Sequence, residues 1–291
     1  MQQWNQQRGN FFAIASAPVL WLIIFFVIPL AIVWAYSFGR NVGLTEIDIS
    51  GTFANYARAI EPLYLEIFLK SVAVAALTTL ICLVVGFPIA MAIAFASAQW
   101  KPWLLLLVML PFWTNLLIRT YALLSLLGTR GVANQAFGWV WNLTGTLGPY
   151  QPLPLLYNNF AVIFGLVYVH LPFMVLPLYA ALDRLDKSLI EASLDLGAGH
   201  WTTINRIVAP LAAPGIISGL IITFVPALGS YLTPDLMGGT DSQMIANVIE
   251  RQFKRANDWP FGAALSFLLM YATFILIALQ TLRNRKLEAG K

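Results

Sequence analysis

Asp183-Arg-Leu-Asp-Lys-Ser-Leu-Ile-Glu-Ala-Ser-Leu-Asp-Leu-Gly-Ala-Gly-His-Trp-Thr-Thr-Ile-Asn-Arg-Ile-Val-Ala-Pro210 is a polar stretch set between two long runs without charge. Ser188 and Glu191 stand at capping-box spacing, which predicts a helix beginning at Leu189. Gly197 is placed to take the left-handed conformation that ends it. A second helical stretch, Trp201 to Val208, should lead into the next apolar run at Pro210. The first helix carries Leu189, Ala192 and Leu196 along one side. This stripe lies on a surface with no lipid to cover it.

Outward from this stretch the chain is almost free of charge. Gly9–Gly39, Ser71–Trp100, Pro102–Ile118, Gly131–Leu182, Ile207–Pro234 and Trp259–Leu282 contain no Asp, Glu, Lys or Arg. A helix needs about 20 mainly apolar residues to cross the hydrocarbon core of a bilayer. Six spans can be placed, at Phe11–Phe38, Ile67–Ala98, Trp103–Leu127, Asn158–Leu182, Pro210–Tyr231 and Phe261–Leu282. The first half of Gly131–Leu182 holds Asn134, Gln135, Asn142, Gly145, Gly148, Pro149, Pro152 and Pro154. That is turn chemistry with a short interfacial helix around Val132–Trp141, not a seventh span. The expected fold is all-α, one membrane domain over residues 1–291, with the polar stretch 183–210 between spans four and five.

Composition agrees. Hydrophobic residues make up 59% of the chain and charged residues 10%, against about 45–50% and about 25% in soluble domains. The net charge of +4 comes with no basic cluster interleaved with aromatics, so it does not suggest nucleic acid. It fits basic cytoplasmic ends instead. Arg8, Lys101, Arg184, Lys187, Arg206, Arg283, Arg285, Lys286 and Lys291 fall in short segments on one side, which places both termini in the cytoplasm. The single cysteine, Cys82, excludes an intrachain disulfide. The run from Phe11 to Phe38 is too long for a signal peptide, and its small residues precede the apolar core.

The polar stretch resembles the EAA loop of ABC importer permeases. Glu191-Ala192-Ser193, then Gly197, Ile207 and Pro210 follow that pattern, with Ser193 in place of an alanine and Ala209 in place of a leucine. The resemblance implies a coupling helix that docks on a separate ATPase subunit, using Ser188, Leu189, Glu191, Ala192, Ser193, Leu196, Gly197, Ile207 and Pro210. Leu110-Pro-Phe-Trp-Thr-Asn-Leu-Leu-Ile-Arg119, Leu171-Pro-Phe-Met-Val-Leu-Pro-Leu-Tyr179, Pro234-Asp-Leu-Met-Gly-Gly239 and Asp258-Trp-Pro-Phe261 are similar to the spermidine/putrescine branch. It implies a multi-pass permease of the bacterial inner membrane. Its partners would be two ATPase copies, a second homologous permease and an extracytoplasmic solute-binding protein.

The residues themselves carry no enzyme signature. No Gly-x-x-x-x-Gly-Lys-Ser/Thr phosphate loop, His-Glu-x-x-His, paired cysteine motif or Gly-x-Ser-x-Gly occurs, and the only histidines are His170 and His200. No catalytic residue, metal site or cofactor is therefore expected. A secondary transporter would need membrane-embedded acids, which the spans lack. At about 1.5 Å per residue, Trp113 should lie near the bilayer midplane. Asn115 adjoins it, and Tyr168 and His170 are expected at similar depth. An aromatic face with amide and hydroxyl groups suits an alkylammonium. For His170 an interhelix hydrogen bond is the simpler expectation, and Arg119 should snorkel to the outer interface. Tyr231, Asp235, Glu250 and Asp258 are the candidates at the outer mouth. A potential of 100 mV draws a trivalent cation inward by roughly 7 kcal/mol. Alternating access, with one end always closed, suits such a solute better than a pore; another small solute is the alternative.

Overall fold

The computed structural model describes residues 8–43, 46–144 and 150–289. The ends expected in the cytoplasm, before Arg8 and after Ala289, lie outside these residues, as do the turn formers Gly145, Gly148 and Pro149. Helices dominate: α1 (Arg8–Leu22), α2 (Ile28–Tyr36), α3 (Ala54–Ala59), α4 (Pro62–Ala94), α5 (Lys101–Met109), α6 (Leu116–Leu127), α7 (Val132–Thr144) and α8 (Asn159–Leu182). After these come α9 (Lys187–Asp195), α10 (His200–Thr203), α11 (Ala209–Leu211), α12 (Ala213–Leu228), α13 (Leu232–Met237), α14 (Ile245–Lys254) and α15 (Trp259–Ala289). One two-stranded hairpin, β1 (Arg40–Asn41) with β2 (Ile47–Asp48), pairs Arg40 with Asp48 and Asn41 with Ile47.

Among the described residues, five helical stretches are long and apolar enough to cross a membrane: Ala15–Tyr36, Pro62–Ala94, Leu116–Leu143, Asn159–Leu182 and Trp259–Ala278. A sixth candidate, His200–Leu211 with Ala213–Leu228, is bent by 72°. The third expected span needs correction. Trp103–Leu127 is not one helix: α5 tightens into a 3₁₀ turn at Leu110–Trp113, and Thr114 and Asn115 are extended before α6 begins. Pro111 is the cause, since it removes an intrahelical donor and clashes with the preceding turn. The stretch of spanning length here is Leu116–Leu143, which includes α7, expected only as an interfacial helix. Span five is also corrected. Its helix enters at Ala213, not Pro210, because Ala212 ends the preceding turn and Pro214 sits at the helix start.

Proline leaves a second mark. The π-turns Ile23–Val27 and Ile204–Val208 each end two residues before a proline, Pro29 and Pro210. In both, the closing amide reaches five residues back, Ile28 to Ile23 and Ala209 to Ile204. A widened turn keeps a donor–acceptor pair where the proline ring would have broken one.

The chain divides into two compact units, the described residues up to Leu65 with those from Val248 onward, and Glu66–Asn247. In the first, α15 packs on α2 and α3. Trp34 Nε1 donates to Tyr271 Oη at 2.8 Å, and Asn55 Nδ2 donates to the carbonyls of Ser37 and Gly39. None of the window within Ala15–Tyr36 is buried, as suits a helix clad in lipid. In the second unit the core lies between α4, α8 and α12, with Cys82, Met174, Val175 and Leu178 fully buried. Small residues permit this approach. A Cβ on Gly215 would stand 2.4 Å from Ala181 Cβ and 2.7 Å from the Pro177 carbonyl; one on Gly219 would meet Met174 Sδ at 2.7 Å.

Candidate functional site: the polar loop and the broken third span

The polar stretch folds as helix, left-handed turn, helix. The expected capping box is corrected: the N-cap is Asp186, whose carboxylate accepts from the Ser188 amide at 3.0 Å, so α9 starts at Lys187 and not at Leu189. That bond holds the Asp186 carboxyl below the usual carboxylate range. Gly197 has φ 82° and ends the helix, with the Ala198 amide bonded to the Ser193 carbonyl. Leu189, Glu191, Ala192 and Leu196 are exposed, Leu196 to 88%. Ser193 faces inward. Its hydroxyl lies 2.9 Å from Thr203 Oγ1, which donates to the Gly199 carbonyl, and so ties α9 to α10. Ile207 is partly buried in the π-turn, while Pro210 is exposed. A groove of about 510 Å³ runs beside the loop, lined by Met91, Phe95, Ile190, Glu191, Leu194 and Ile204 among others.

Sequence reasoning did not single out Lys101. Its ammonium pairs with Asp183, so the start of α5 is fastened to the end of α8 immediately before the loop. The bond raises the lysine's pKa. A basic residue at one helix start and an acidic one at another helix end was the available signal, but nothing in their sequence separation says that they meet.

The break between α5 and α6 presents Trp113 with 76% of its surface exposed. Asn115 is committed to the fold: its side chain caps α6 by accepting from the Leu117 amide at 2.8 Å. Thr114 Oγ1 donates to the Pro111 carbonyl at 2.8 Å. Arg119 does not snorkel. It turns back so that Nη2 donates to the Thr114 carbonyl at 3.1 Å, and its guanidinium lies 5.5 Å from the centre of Phe112.

His170 is also corrected. Its Nδ1 lies 2.8 Å from the Leu166 carbonyl of its own helix, not from a neighbouring helix, and the residue is buried. The ring sits 6.0 Å from Phe173, which meets Phe112 edge-on at 4.9 Å. Tyr168, two residues earlier, is 36% exposed. Two helical steps turn a side chain by about 200°, so Tyr168 and His170 point to different faces. Tyr231 is exposed at the start of α13 and its carbonyl accepts from Asn247 Nδ2; Asp235 is exposed in the first turn.

Glu250 and Asp258 belong to the first unit. Glu250 pairs with Lys254 at 3.1 Å. Asp258 organises three elements: it caps α15 through the Phe261 amide at 3.3 Å, accepts from Arg58 Nη1 at 2.8 Å and lies 3.4 Å from Asn41 Nδ2. Among the described residues no group of three or more His, Cys, Asp or Glu is placed to hold a metal ion.

Comparison with known proteins assigns the chain to a family. Residues 8–288 match the family described as binding-protein-dependent transport system inner membrane component. The chain belongs to this family. The permease is 40% identical over 268 residues to the spermidine/putrescine transport system permease protein PotB of Salmonella typhimurium, across 92% of this chain and 91% of that one. It is 38% identical over 272 residues to PotB of Haemophilus influenzae, across 92% and 93%. Its fold matches the solved bacterial alginate ABC transporter in complex with an alginate pentasaccharide-bound periplasmic protein. The TM-score is 0.76, with 99% of this chain and 98% of that one covered at 15% identity. The permease is thus a multi-pass inner-membrane subunit of an ABC importer. It is a transport protein and not an enzyme; ATP is hydrolysed by a separate subunit.

Proposed function

We propose that this permease forms part of the path by which an ABC importer carries a polyamine, spermidine or putrescine, inward by alternating access. The observation that carries the reading is identity of 40% along 92% of the chain to a relative named for those two solutes. Fold likeness does not choose the solute, since the solved neighbour is an alginate transporter. On this reading residues 1–291 are one permease domain with six spans and both termini in the cytoplasm. The loop around residues 183–210 is the coupling helix, docked on an ATPase through the exposed Leu189, Ala192 and Leu196 and shaped by Ser193, Gly197, Ile207 and Pro210. The complete transporter adds two ATPase copies, a second homologous permease and an extracytoplasmic solute-binding protein.

Trp113 supports the reading of the path, because the broken third span presents its ring where a packed helix would have hidden it. Tyr168, Tyr231, Asp235 and Glu250 are proposed as further contacts to the solute or to the protein that delivers it. Asn115 and His170 would act by holding the break and the aromatic cluster in place. The experiment is uptake of radiolabelled spermidine and putrescine by vesicles containing the full complex and its loaded binding protein. Saturable, ATP-dependent uptake of either is expected; uptake of neither, with ATP hydrolysis intact, sinks the polyamine assignment.

A further inference from the structure

Arg58 sits in surroundings that match what an alkylammonium would need. Its Nη1 donates to Asp258 Oδ2 at 2.8 Å. Its guanidinium carbon lies 3.9 Å from the centre of the Phe261 ring and 5.9 Å from that of Tyr64. The two rings meet at 4.9 Å with planes 67° apart, and Tyr64 Oη accepts from Nη2 at 3.4 Å. Phe261 is fully buried, whereas the Arg58 side chain is 42% exposed. The carboxylate's other oxygen, Oδ1, accepts from the Phe261 amide at 3.3 Å and from Asn41 Nδ2 at 3.4 Å, contacts that do not involve the arginine. One carboxylate and two aromatic faces around a cation is the chemistry that recognises ammonium groups. Here the cation is the protein's own.

We infer that Asp258, Tyr64 and Phe261 form an alkylammonium site in which Arg58 is the resident stand-in, displaced when a solute ammonium arrives. The inference rests on the polyamine reading and on an orientation that places these residues outside. Both occupants are cations that use the same carboxylate and the same ring faces, so they exclude one another. Arg58 is tethered beside the site, and a tethered competitor acts at an effective concentration in the millimolar range. Free solute at micromolar levels does not displace it. Solute released from a docked binding protein reaches a local concentration that does, so the site fills only during delivery. Partial exposure of Arg58 gives it room to withdraw while the covered Phe261 face becomes available.

The test is equilibrium binding of radiolabelled spermidine to the purified complete transporter without its binding protein. Arg58→Ala is expected to bind spermidine at least tenfold more tightly than wild type. Arg58→Ala with Asp258→Asn is expected to lose that gain, since asparagine keeps the helix cap and removes the charge. Equal affinity in wild type and Arg58→Ala overturns the inference, as does a gain that survives Asp258→Asn. Failure of both Arg58→Ala and Arg58→Gln to assemble would make Arg58 a structural cation and also overturns it. Wild-type uptake is measured alongside. Uptake without a gain in binding rejects the site and leaves the polyamine reading standing; a gain without uptake does the reverse.

Discussion

Ser193 illustrates what a single atom changes in the loop. The family pattern has alanine there, and alanine would leave Thr203 with only its own helical carbonyl. The serine hydroxyl adds a buried bond between two short helices, a contact of about 1 kcal/mol. Gly197 is more demanding. A Cβ there would meet nothing within 4 Å, so the obstacle to substitution is backbone conformation alone, at φ 82°. Gly197→Val should abolish solute-stimulated ATP hydrolysis while the chain still inserts, and Gly197→Asn, which tolerates that conformation, should retain much of it. Normal stimulation in Gly197→Val would remove the loop from the coupling role. For Trp113 the expected loss on Trp113→Ala is one desolvated cation–π contact, about 2 kcal/mol or a factor near thirty in transport affinity. Trp113→Phe should lose less. Unchanged uptake kinetics in Trp113→Ala would turn the ring toward lipid and shift the path to Tyr168 and Tyr231.

Helix α9 stands on its Asp186 cap, and on the coupling reading proposed above this gives stimulated hydrolysis a pH dependence. The folded-state pKa of Asp186 is lowered by the backbone bond from Ser188. Its contribution is therefore full above the ordinary carboxylate pKa and is lost as pH falls through the lowered folded value. Stimulated hydrolysis should decline only on the acid side of the ordinary carboxylate range, and Asp186→Asn should flatten that limb. An identical acid limb in Asp186→Asn would assign it to another group. Between α8 and α12 the constraint is space. Gly215 abuts a carbonyl of the facing helix, and backbone cannot swing aside as a side chain can. Gly215→Val should leave little assembled protein in the membrane, read as protease sensitivity and loss of the complex. Assembly at wild-type level would mean that α8 and α12 part more easily than their contact implies.

At the scale of the whole molecule the permease is a transport subunit and not a motor. Membership of a family whose ATPase is a separate chain predicts that the isolated subunit has no nucleotide affinity. Titration of Mg²⁺-ATP into the purified chain should give no saturable signal at micromolar concentrations. Both units contain features that the transport reading uses. The first holds the caged Arg58, and the second holds both the broken span and the polar loop. Lys101 and Asp183 link the last two, since the helix that ends at Trp113 begins at the lysine and the loop begins just after the aspartate.

Charge segregation and apolar length determined that this chain crosses a membrane, because unpaired backbone and charge are too costly in hydrocarbon for another arrangement. The sequence also determined the polar loop, since Gly197 and the fixed spacing from Glu191 to Pro210 are local properties. Only the tertiary structure decided which acid caps α9. Asp186 and Ser188 are both capable, and the choice depends on the turn by which α8 ends. It also decided that Pro111 would break a span while Pro88, Pro172, Pro177 and Pro226 would be absorbed within helices. Proline always removes a donor, but whether the helix bends depends on what neighbouring groups offer the freed carbonyls. At Pro111 the helix breaks, and the Pro111 and Thr114 carbonyls at the break accept from Thr114 Oγ1 and Arg119 Nη2, a return that no periodicity could foretell.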